Sequence, residues 1–267
     1  MMNENAELAE RLRGERTPYV LATVVRAERP TSAKTGDRAL VLPDGTMEGF
    51  VGGHCAESAV RDQALQLLRS GRSTLLRITP AADTSPLEGM VTVSNPCLSG
   101  GTVDVFLEAV IPPALINVYG DGPVARALTE VGRAAGFDAR PAGTADPPSP
   151  DAAAVVVATH GRDEEAVLRA ALDAAVPYVG LIASRKRGAA VTADLEGGER
   201  VHTPAGLDIG ARTAPEIALS VLVEILSLRP RAERPAQPVS PVEASPVEAS
   251  SVGVSSAETG ECCHHGG

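Results

Sequence analysis

Two cysteines carry the clearest chemistry in this sequence, because each lies beside a pair of glycines. Gly52–Gly53 precede Cys55, and Gly100–Gly101 follow Cys97. Cys55 is predicted at the start of a helix, where the helix dipole lowers the pKa of a thiol and stabilises its thiolate. A thiolate beside backbone amides can hold a soft metal or accept and pass on sulfur. The alternative is that both cysteines are small buried apolar residues.

A second candidate site is the turn Gly120–Ala125, which is predicted between a strand and a helix. Gly120 and Gly122 would let the backbone approach a phosphate group, and the start of the helix would supply positive charge. The next strand lacks the acidic residue that binds a ribose at its end, since Asp138 stands at its start. Asp121 would also repel a pyrophosphate. Two interpretations stay open, a phosphate or nucleotide site and a tight turn alone.

Two further candidates follow predicted strands. His160 stands after the strand Val155–Ala158, and Ser184–Arg185 begin a basic segment after Tyr178–Ile182. Ligands bind at the carboxyl ends of strands in open parallel sheets, so these side chains are placed to bind a ligand or an anion. The alternatives are a histidine that caps the next helix and a basic turn in solvent.

The end of the chain combines Cys262–Cys263 with His264–His265. Thiolates and imidazoles bind zinc, copper and nickel, but adjacent ligands make a poor tetrahedral site, so we expect weak, adventitious metal affinity there. The segment before these residues repeats Pro-Val-Glu-Ala-Ser and is rich in Pro, Ser and Glu. Residues 229–267 are therefore predicted to form a disordered tail.

The composition excludes several classes of protein. With 267 residues and 43% hydrophobic residues the chain can build a core, which excludes global disorder. A net charge of −10 and an aromatic content of 2% argue against nucleic acid as a partner. The apolar runs are too short to span a bilayer, and the acidic N-terminus lacks the apolar stretch of a signal peptide. We expect a cytoplasmic protein with reduced thiols and no membrane span.

The first part of the chain, residues 1–111, must position both cysteines and is predicted to form a small α+β domain. Its strands are rich in β-branched residues, and the helix that begins near Cys55 has an apolar face. The prolines of Ile111–Pro113 mark its end. The predicted elements are a helix over residues 3–14, strands over 19–25, 38–42, 47–51, 75–78, 90–94 and 102–109, and a helix that extends to about residue 70.

Residues 114–228 alternate between strands and helices, which predicts a Rossmann-like domain with a parallel sheet and helices on both faces. The last helix shows the apolar spacing of Ile217, Val221 and Ile225. The fold class is therefore α/β, with the small α+β domain first and the disordered tail last. The predicted strands cover residues 115–119, 137–140, 155–158 and 178–182, and the helices cover 123–135, 163–175 and 214–228.

Several segments together resemble the XdhC/CoxI family, the maturation factors of molybdenum hydroxylases such as xanthine and carbon monoxide dehydrogenases. The resemblance extends from about Tyr19 to Leu228, and its most specific part is the segment His202–Gly210. The other segments that carry it are Leu21–Val25, Gly49–Gly53 with the following Cys55 and Glu57, Cys97 with Gly100–Gly101, Thr159–His160, Tyr178–Leu181, Ser184–Arg185 and Pro215–Ala218.

The resemblance implies an accessory chaperone rather than a catalyst. Such a protein binds the molybdenum cofactor, assists its sulfuration by a cysteine desulfurase, and delivers it to an apo molybdenum hydroxylase; a homodimer is a further expectation. The resemblance also implies that Cys55 and Cys97 contact the molybdenum or its sulfur. The candidate cofactor-binding residues are Gly52, Gly53, Glu57, Gly100, Gly101, Gly120, Gly122, His160, Ser184 and Arg185.

The alternative function is that of an NAD(P)-dependent oxidoreductase, which would hold its cofactor at the Gly120 turn and use His160 as proton donor. The missing ribose-binding acid counts against it. A third interpretation is a scaffold between the client enzyme and the desulfurase, which would need no ligand.

Overall fold

The computed structural model describes residues 2–80, 89–94 and 101–229. Three predictions concern residues outside these ranges: the roles of Cys97 and Gly100, the disordered tail, and the metal affinity of Cys262–His265. Within the described residues the predicted α/β class is confirmed, with a small N-terminal part followed by a parallel, Rossmann-like sheet.

The N-terminal part is built on a six-stranded sheet with the order β3-β2-β1-β6-β4-β5. Its strand pairs are antiparallel except for β4 and β5, which run parallel. The elements are α1 (Met2–Gly14), β1 (Tyr19–Glu28), β2 (Arg38–Val41), β3 (Met47–Gly49), α2 (His54–Ser70), β4 (Thr74–Thr79), β5 (Met90–Ser94) and β6 (Thr102–Val110).

Helix α2 covers one face of this sheet because its apolar residues recur along one side. Val60, Ala64 and Leu67 are buried against strand residues such as Leu76 and Val105. The helix ends at Ser70, as the sequence predicted, and the φ of 67° at Gly71 gives the left-handed conformation of a C-cap. The helix start, which carries Cys55, is thereby fixed on the sheet.

The second part is a five-stranded parallel sheet with the order β8-β7-β9-β10-β11. The chain passes from β7 outward to β8 and then returns to β9 on the other side of β7, which creates a switch point at the carboxyl ends of the strands. The elements are β7 (Leu115–Tyr119), α3 (Pro123–Ala134), β8 (Asp138–Ala142), β9 (Ala152–Val157), α4 (Glu164–Asp173), β10 (Tyr178–Leu181), α5 (Arg185–Thr192), a 3-10 turn (Gly198–Arg200), β11 (Val201–His202) and α6 (Ala214–Ser227).

Helices cover both faces of the parallel sheet, as predicted. Alternate residues of each strand point to opposite faces, so Ala154 and Val156 pack with α3 and α6. Val155 and Val157 pack on the other face with Val167 and other residues of α4. The sheet is thus buried on both faces, and the loops that can reach a ligand lie at the ends of its strands.

The chain crosses from one sheet to the other between Val110 and Leu115. Arg16 links the two parts: its guanidinium donates to Asp151 at 2.7 Å, to Asp138 at 2.5 Å and to the carbonyl oxygen of Pro113 at 2.7 Å. Its side chain is 14% exposed. The division into domains over residues 1–111 and 114–228 stays a prediction.

Candidate ligand clefts

Cys55 lies in a cleft of about 580 Å³ in the N-terminal part. We call it the thiol cleft. Two of the glycines that the sequence singled out, Gly53 and Gly101, line it together with Cys55. Its lining residues are Arg29, Pro30, Thr31, Ser32, Gly53, Cys55, Ala56, Ile78, Gly101 and Val103.

The thiol of Cys55 is carried by the first turn of α2, as predicted. Gly53 is the N-cap residue, and no side chain caps the helix there. Cys55 is half-buried, and Glu57 lies in the same first turn and is also half-buried. The positive end of a helix favours an anion, so a thiolate is electrostatically stabilised at this place.

The shape of the thiol cleft depends on close approach of the main chain. A Cβ on Gly101 would overlap the carbonyl oxygen of Pro30 and lie 2.6 Å from that of Glu28. Gly52 has a φ of 133°, and a Cβ there would lie 3.0 Å from the Cβ of Ala56. Close packing of the main chain therefore requires these glycines, whether or not they also contact a ligand.

A second cleft of about 690 Å³ opens at the carboxyl ends of the parallel strands. We call it the edge cleft. It brings together three of the predicted site residues, His160, Ser184 and Arg185, from loops after β9 and β10. Its lining residues are Val124, His160, Ile182, Ala183, Ser184, Arg185, Arg187, Pro204, Ala205, Gly206, Leu207, Asp208, Ile209, Ala211, Ile217 and Ser220.

The glycines of the Gly120 turn pack against the segment after β9. Gly120 has a φ of 128°, and a Cβ there would overlap the carbonyl oxygen of Ala158. A Cβ on Gly122 would lie 3.0 Å from Nε2 of His160, so the imidazole occupies the space above this turn. Asp121 forms an exposed ion pair with Arg162 at 2.9 Å. These contacts explain both glycines as packing residues and give no support to a nucleotide at the turn.

His160 is exposed and adopts a φ of 55°, and the loop that carries it is held by a buried carboxylate. Glu164 is 4% exposed and accepts hydrogen bonds from the amide of Gly161 at 2.7 Å and from the hydroxyl of Thr159 at 3.3 Å. It also pairs with Arg187. Burial raises the pKa of Glu164, but the hydrogen bonds from Arg187 and Gly161 outweigh it, so the pKa lies below its usual value.

Ser184 and Arg185 belong to the start of α5, a helix that the sequence analysis missed. The hydroxyl of Ser184 is the N-cap acceptor for the amide of Arg187, at 3.4 Å. The side chain of Arg185 is 84% exposed and lies 3.8 Å from Asp208. The helix was missed because its first turn is Arg-Lys-Arg and Gly188 follows, so no apolar stripe marks it. Ser184 was the available signal, because serine is a common N-cap residue and therefore indicates the start of a helix.

Sequence reasoning also missed Glu164 and Glu224, which hold the loops of the edge cleft. Glu164 is the first residue of α4, where acidic residues are common, and Glu224 lies in α6. The partners of Glu224 come from β10, β11 and the loop after β11, so the sequence offers no signal for it. Among the residues that the structure describes, no three His, Cys, Asp or Glu side chains cluster as they would around a metal ion. Within the same residues, no helix has both the length and the apolar character to cross a membrane.

Two family models match this chain. The model described as "XdhC and CoxI family" matches residues 12–79. The model described as "XdhC Rossmann domain" matches residues 116–225. The first match contains Cys55 and most of the thiol cleft, and the second contains all residues that line the edge cleft.

Three curated proteins are similar to the chain. The uncharacterized protein YqeB of Escherichia coli is 29% identical and aligns with 84% of this chain and 46% of its own length. The molybdenum cofactor insertion chaperone PaoD of Escherichia coli is 25% identical and aligns with 79% of this chain and 83% of its own length. A probable xanthine dehydrogenase subunit of Bacillus subtilis is 27% identical and aligns with 49% of this chain and 47% of its own length. The chain thus spans about half the length of YqeB and of the Bacillus subtilis protein.

A solved structure is also similar, the crystal structure of a xanthine dehydrogenase from Bacillus halodurans. It shares 19% identity with a TM-score of 0.41, and the alignment covers 86% of this chain and 98% of that chain.

Proposed function

This chain belongs to the XdhC and CoxI family, and on that premise we propose that it is a maturation factor that binds the molybdenum cofactor and assists its insertion into a molybdenum hydroxylase. The similarity to PaoD supports this proposal, because it extends over 79% of this chain and 83% of PaoD. The client enzyme would be of the xanthine or carbon monoxide dehydrogenase type. The cytoplasm stays the predicted location.

The thiol cleft is the proposed place for the molybdenum end of the cofactor. The observation that carries this assignment is the position of Cys55, half-buried in the first turn of α2 and lining a cleft of about 580 Å³. A thiolate is a soft ligand suited to molybdenum or to its terminal sulfur. Cys97, outside the described residues, is proposed as the second sulfur ligand, and Glu57 as a neighbouring carboxylate.

The edge cleft is the proposed place for the organic part of the cofactor. Its walls combine apolar side chains such as Ile182 and Ile217 with the polar groups of His160, Ser184 and Arg185. A planar pterin fits apolar walls, and a phosphate group fits an arginine at the start of a helix. Sulfuration by a cysteine desulfurase and a homodimer remain part of the proposal.

The experiment is anaerobic binding of purified molybdenum cofactor to the full chain, measured as the retained pterin after ultrafiltration. We expect Cys55→Ser to weaken binding about tenfold or more, the loss of one strong contact. Cys262→Ser, which changes a tail cysteine, is the matched control and should bind like the unaltered chain. Absence of binding by the unaltered chain at high micromolar cofactor would contradict the proposal.

The edge cleft is tested in the same assay with Arg185→Gln. The control is Arg72→Gln, which removes the same charge from an exposed arginine that lines neither cleft. We expect Arg185→Gln to weaken binding several-fold, because a charged contact to phosphate is lost. An effect of Cys55→Ser without any effect of Arg185→Gln would place the cofactor in the thiol cleft alone.

The oxidoreductase alternative gains nothing from the geometry. The imidazole of His160 occupies the space above Gly122, and Gly120 packs on the carbonyl oxygen of Ala158. Titration with NAD(H) and NADP(H) tests it directly, and micromolar binding of either would revive it.

A further inference from the structure

We infer that Glu224 is a positioning residue that holds the loop Pro204–Ala211 in the shape that forms one wall of the edge cleft. The inference rests on the proposed role of this cleft in cofactor binding. Glu224 is absent from the described residues that line the cleft, so it acts through the loop and not by touching the ligand.

The loop contributes more lining residues than any other segment, and hydrogen bonds from three of its main-chain amides anchor its beginning. The amide of Ala205 donates to the carbonyl oxygen of Leu181 at 3.0 Å, and that of Leu207 donates to the carbonyl oxygen of Ser220 at 3.3 Å. Between them, the amide of Gly206 donates to Oε2 of Glu224 at 2.7 Å. The bond to Glu224 is the shortest of the three and the one made to a charged acceptor, which is the stronger kind.

Side chains of two strands, β10 and β11, hold the carboxylate of Glu224 in place. Its Oε2 accepts from the hydroxyl of Tyr178 at 2.6 Å, and its Oε1 lies 3.1 Å from Nδ1 of His202. The rings of Tyr178 and His202 stack at 4.6 Å. One carboxylate thus joins β10, β11, the loop and α6, and its side chain is only 15% exposed.

Burial is the main cause that raises the pKa of Tyr178 above its usual value, and the hydrogen bond to Glu224 raises it further. The phenol therefore remains a hydrogen-bond donor to Glu224 throughout the physiological pH range. The anchor does not depend on the ionisation of Tyr178.

Gly206 brings the loop amide within reach of Glu224. Its φ is 103°, a conformation that favours glycine. A Cβ at this position would overlap Oγ of Ser220 and lie 3.0 Å from the amide nitrogen of Val221. The loop therefore lies directly on α6, and beyond it Leu207 and Ile209 are exposed by 41% and 53% at the mouth of the cleft.

The first test is amide hydrogen exchange in Glu224→Ala, which needs no ligand. We expect the amides of Gly206 and Leu207 to exchange about tenfold faster, because the charged acceptor is lost, while the amides of β7 are unchanged. Glu224→Gln should restore part of the protection, since its amide oxygen can still accept from Gly206. Unchanged exchange at Gly206 would overturn the inference.

The second test is cofactor binding by the same variants of the full chain. We expect Glu224→Ala to weaken binding about tenfold and Glu224→Gln to weaken it less. Arg133→Ala is the control: it removes the hydrogen bond from Arg133 to the carbonyl oxygen of Ala139, and neither residue lines the edge cleft, so it should lose stability but bind cofactor normally. An equal loss of binding in Arg133→Ala would show that stability alone is responsible and would overturn the inference.

The two tests separate failure of the inference from failure of the proposed function. Faster exchange of the loop in Glu224→Ala, together with no cofactor binding by the unaltered chain, would leave Glu224 as the anchor of the loop and would refute the proposed ligand.

Discussion

The thiol cleft and the edge cleft are built in different ways. In the thiol cleft, main-chain atoms approach each other at glycines, as Gly101 does against Pro30. In the edge cleft, buried carboxylates gather loop amides: Glu164 binds Gly161 and Glu224 binds Gly206. Both clefts should therefore be sensitive to added atoms, since a Cβ on Gly206 would overlap Oγ of Ser220, but the edge cleft should also be sensitive to the loss of carboxylate acceptors.

The topology of each sheet explains this difference. In the N-terminal part β1 and β6 are antiparallel neighbours, so the main chain just after β1, at Pro30, already lies beside the main chain just before β6, at Gly101. The loops of the parallel sheet extend beyond the last ladder hydrogen bond, and the amides of Gly161 and Gly206 find their acceptors in carboxylates of α4 and α6. The comparison teaches that a cleft at the end of a parallel sheet depends on side chains of the helices that pack beside its loops.

The largest effect is expected for Gly101→Ala. Its Cβ would overlap the carbonyl oxygen of Pro30, so the main chain must move. We expect this movement to lower the free energy of unfolding, measured by urea titration, by about 3 kcal/mol. Gly53→Ser in the same cleft is the control, because the nearest atom, Oγ of Ser32, would be 4.0 Å from the added Cβ. It should change stability by at most about 0.5 kcal/mol. Equal stability of both variants would break the comparison.

A smaller loss is expected for Glu164→Ala, about 2 kcal/mol, because Gly161 and Thr159 lose an acceptor and Arg187 loses its ion pair. The partial exposure of Arg187 keeps the loss below that of a fully buried pair. Chemical unfolding at neutral pH measures it. A loss below about 0.5 kcal/mol would show that the carboxylate is dispensable to the edge cleft.

The same carboxylate predicts a pH dependence. The pKa of Glu164 is lower in the folded protein than the value of about 4.3 for an unperturbed Glu. Its contribution is therefore fully present above that value and is lost as the pH falls through the folded pKa. We expect the stability difference between the unaltered chain and Glu164→Gln to be constant above about pH 6 and to shrink toward pH 3. A difference independent of pH would refute the assignment.

A loss of about 1 kcal/mol is expected for Arg16→Ala, which removes hydrogen bonds between the two parts of the chain. If the two parts then unfold separately, calorimetry will show two transitions. Arg11→Ala is the control, since its contact with Glu15 is exposed and 4.0 Å long. A single transition with unchanged midpoint in Arg16→Ala would show that other contacts join the two parts.

The smallest effect is expected for Asp121→Asn in the Gly120 turn. The ion pair with Arg162 is 70–80% exposed and screened by solvent, so the thermal midpoint should not change measurably. Gly120→Ala in the same turn should lower it strongly, because its φ and the carbonyl oxygen of Ala158 both exclude a side chain. A large effect of Asp121→Asn would show that charge, and not packing, shapes this turn.

The sequence predicted most strands and helices because their apolar residues recur with clear periods. The strand Leu115–Tyr119 was predicted with its observed bounds, and the last helix, Ala214–Ser227, to within one residue. The position of Cys55 in the first turn of a helix was also predicted and is confirmed. Helix α5 and the two-residue strand β11 were missed, because neither is long or apolar enough to show a period.

The candidate site was predicted only in part. His160, Ser184 and Arg185 were expected at the strand ends, and the structure brings them into one cleft. For the glycines at 120 and 122 two interpretations were open, a phosphate site and a tight turn, and their close approach to Ala158 and His160 favours the turn. A sequence shows that a glycine is required but not which neighbour requires it, since that neighbour belongs to another strand.

The sequence by itself determined the α/β class, the parallel second sheet and the helix that presents Cys55, because these depend on local periodicity and on turn residues. The tertiary structure alone decided which residues share a cleft and which carboxylates hold its loops. Glu224 meets Tyr178, His202 and Gly206 only after β10, β11 and α6 have packed. Hydrogen bonds between distant side chains leave no periodic pattern in a sequence, because their partners are chosen by the way the elements pack.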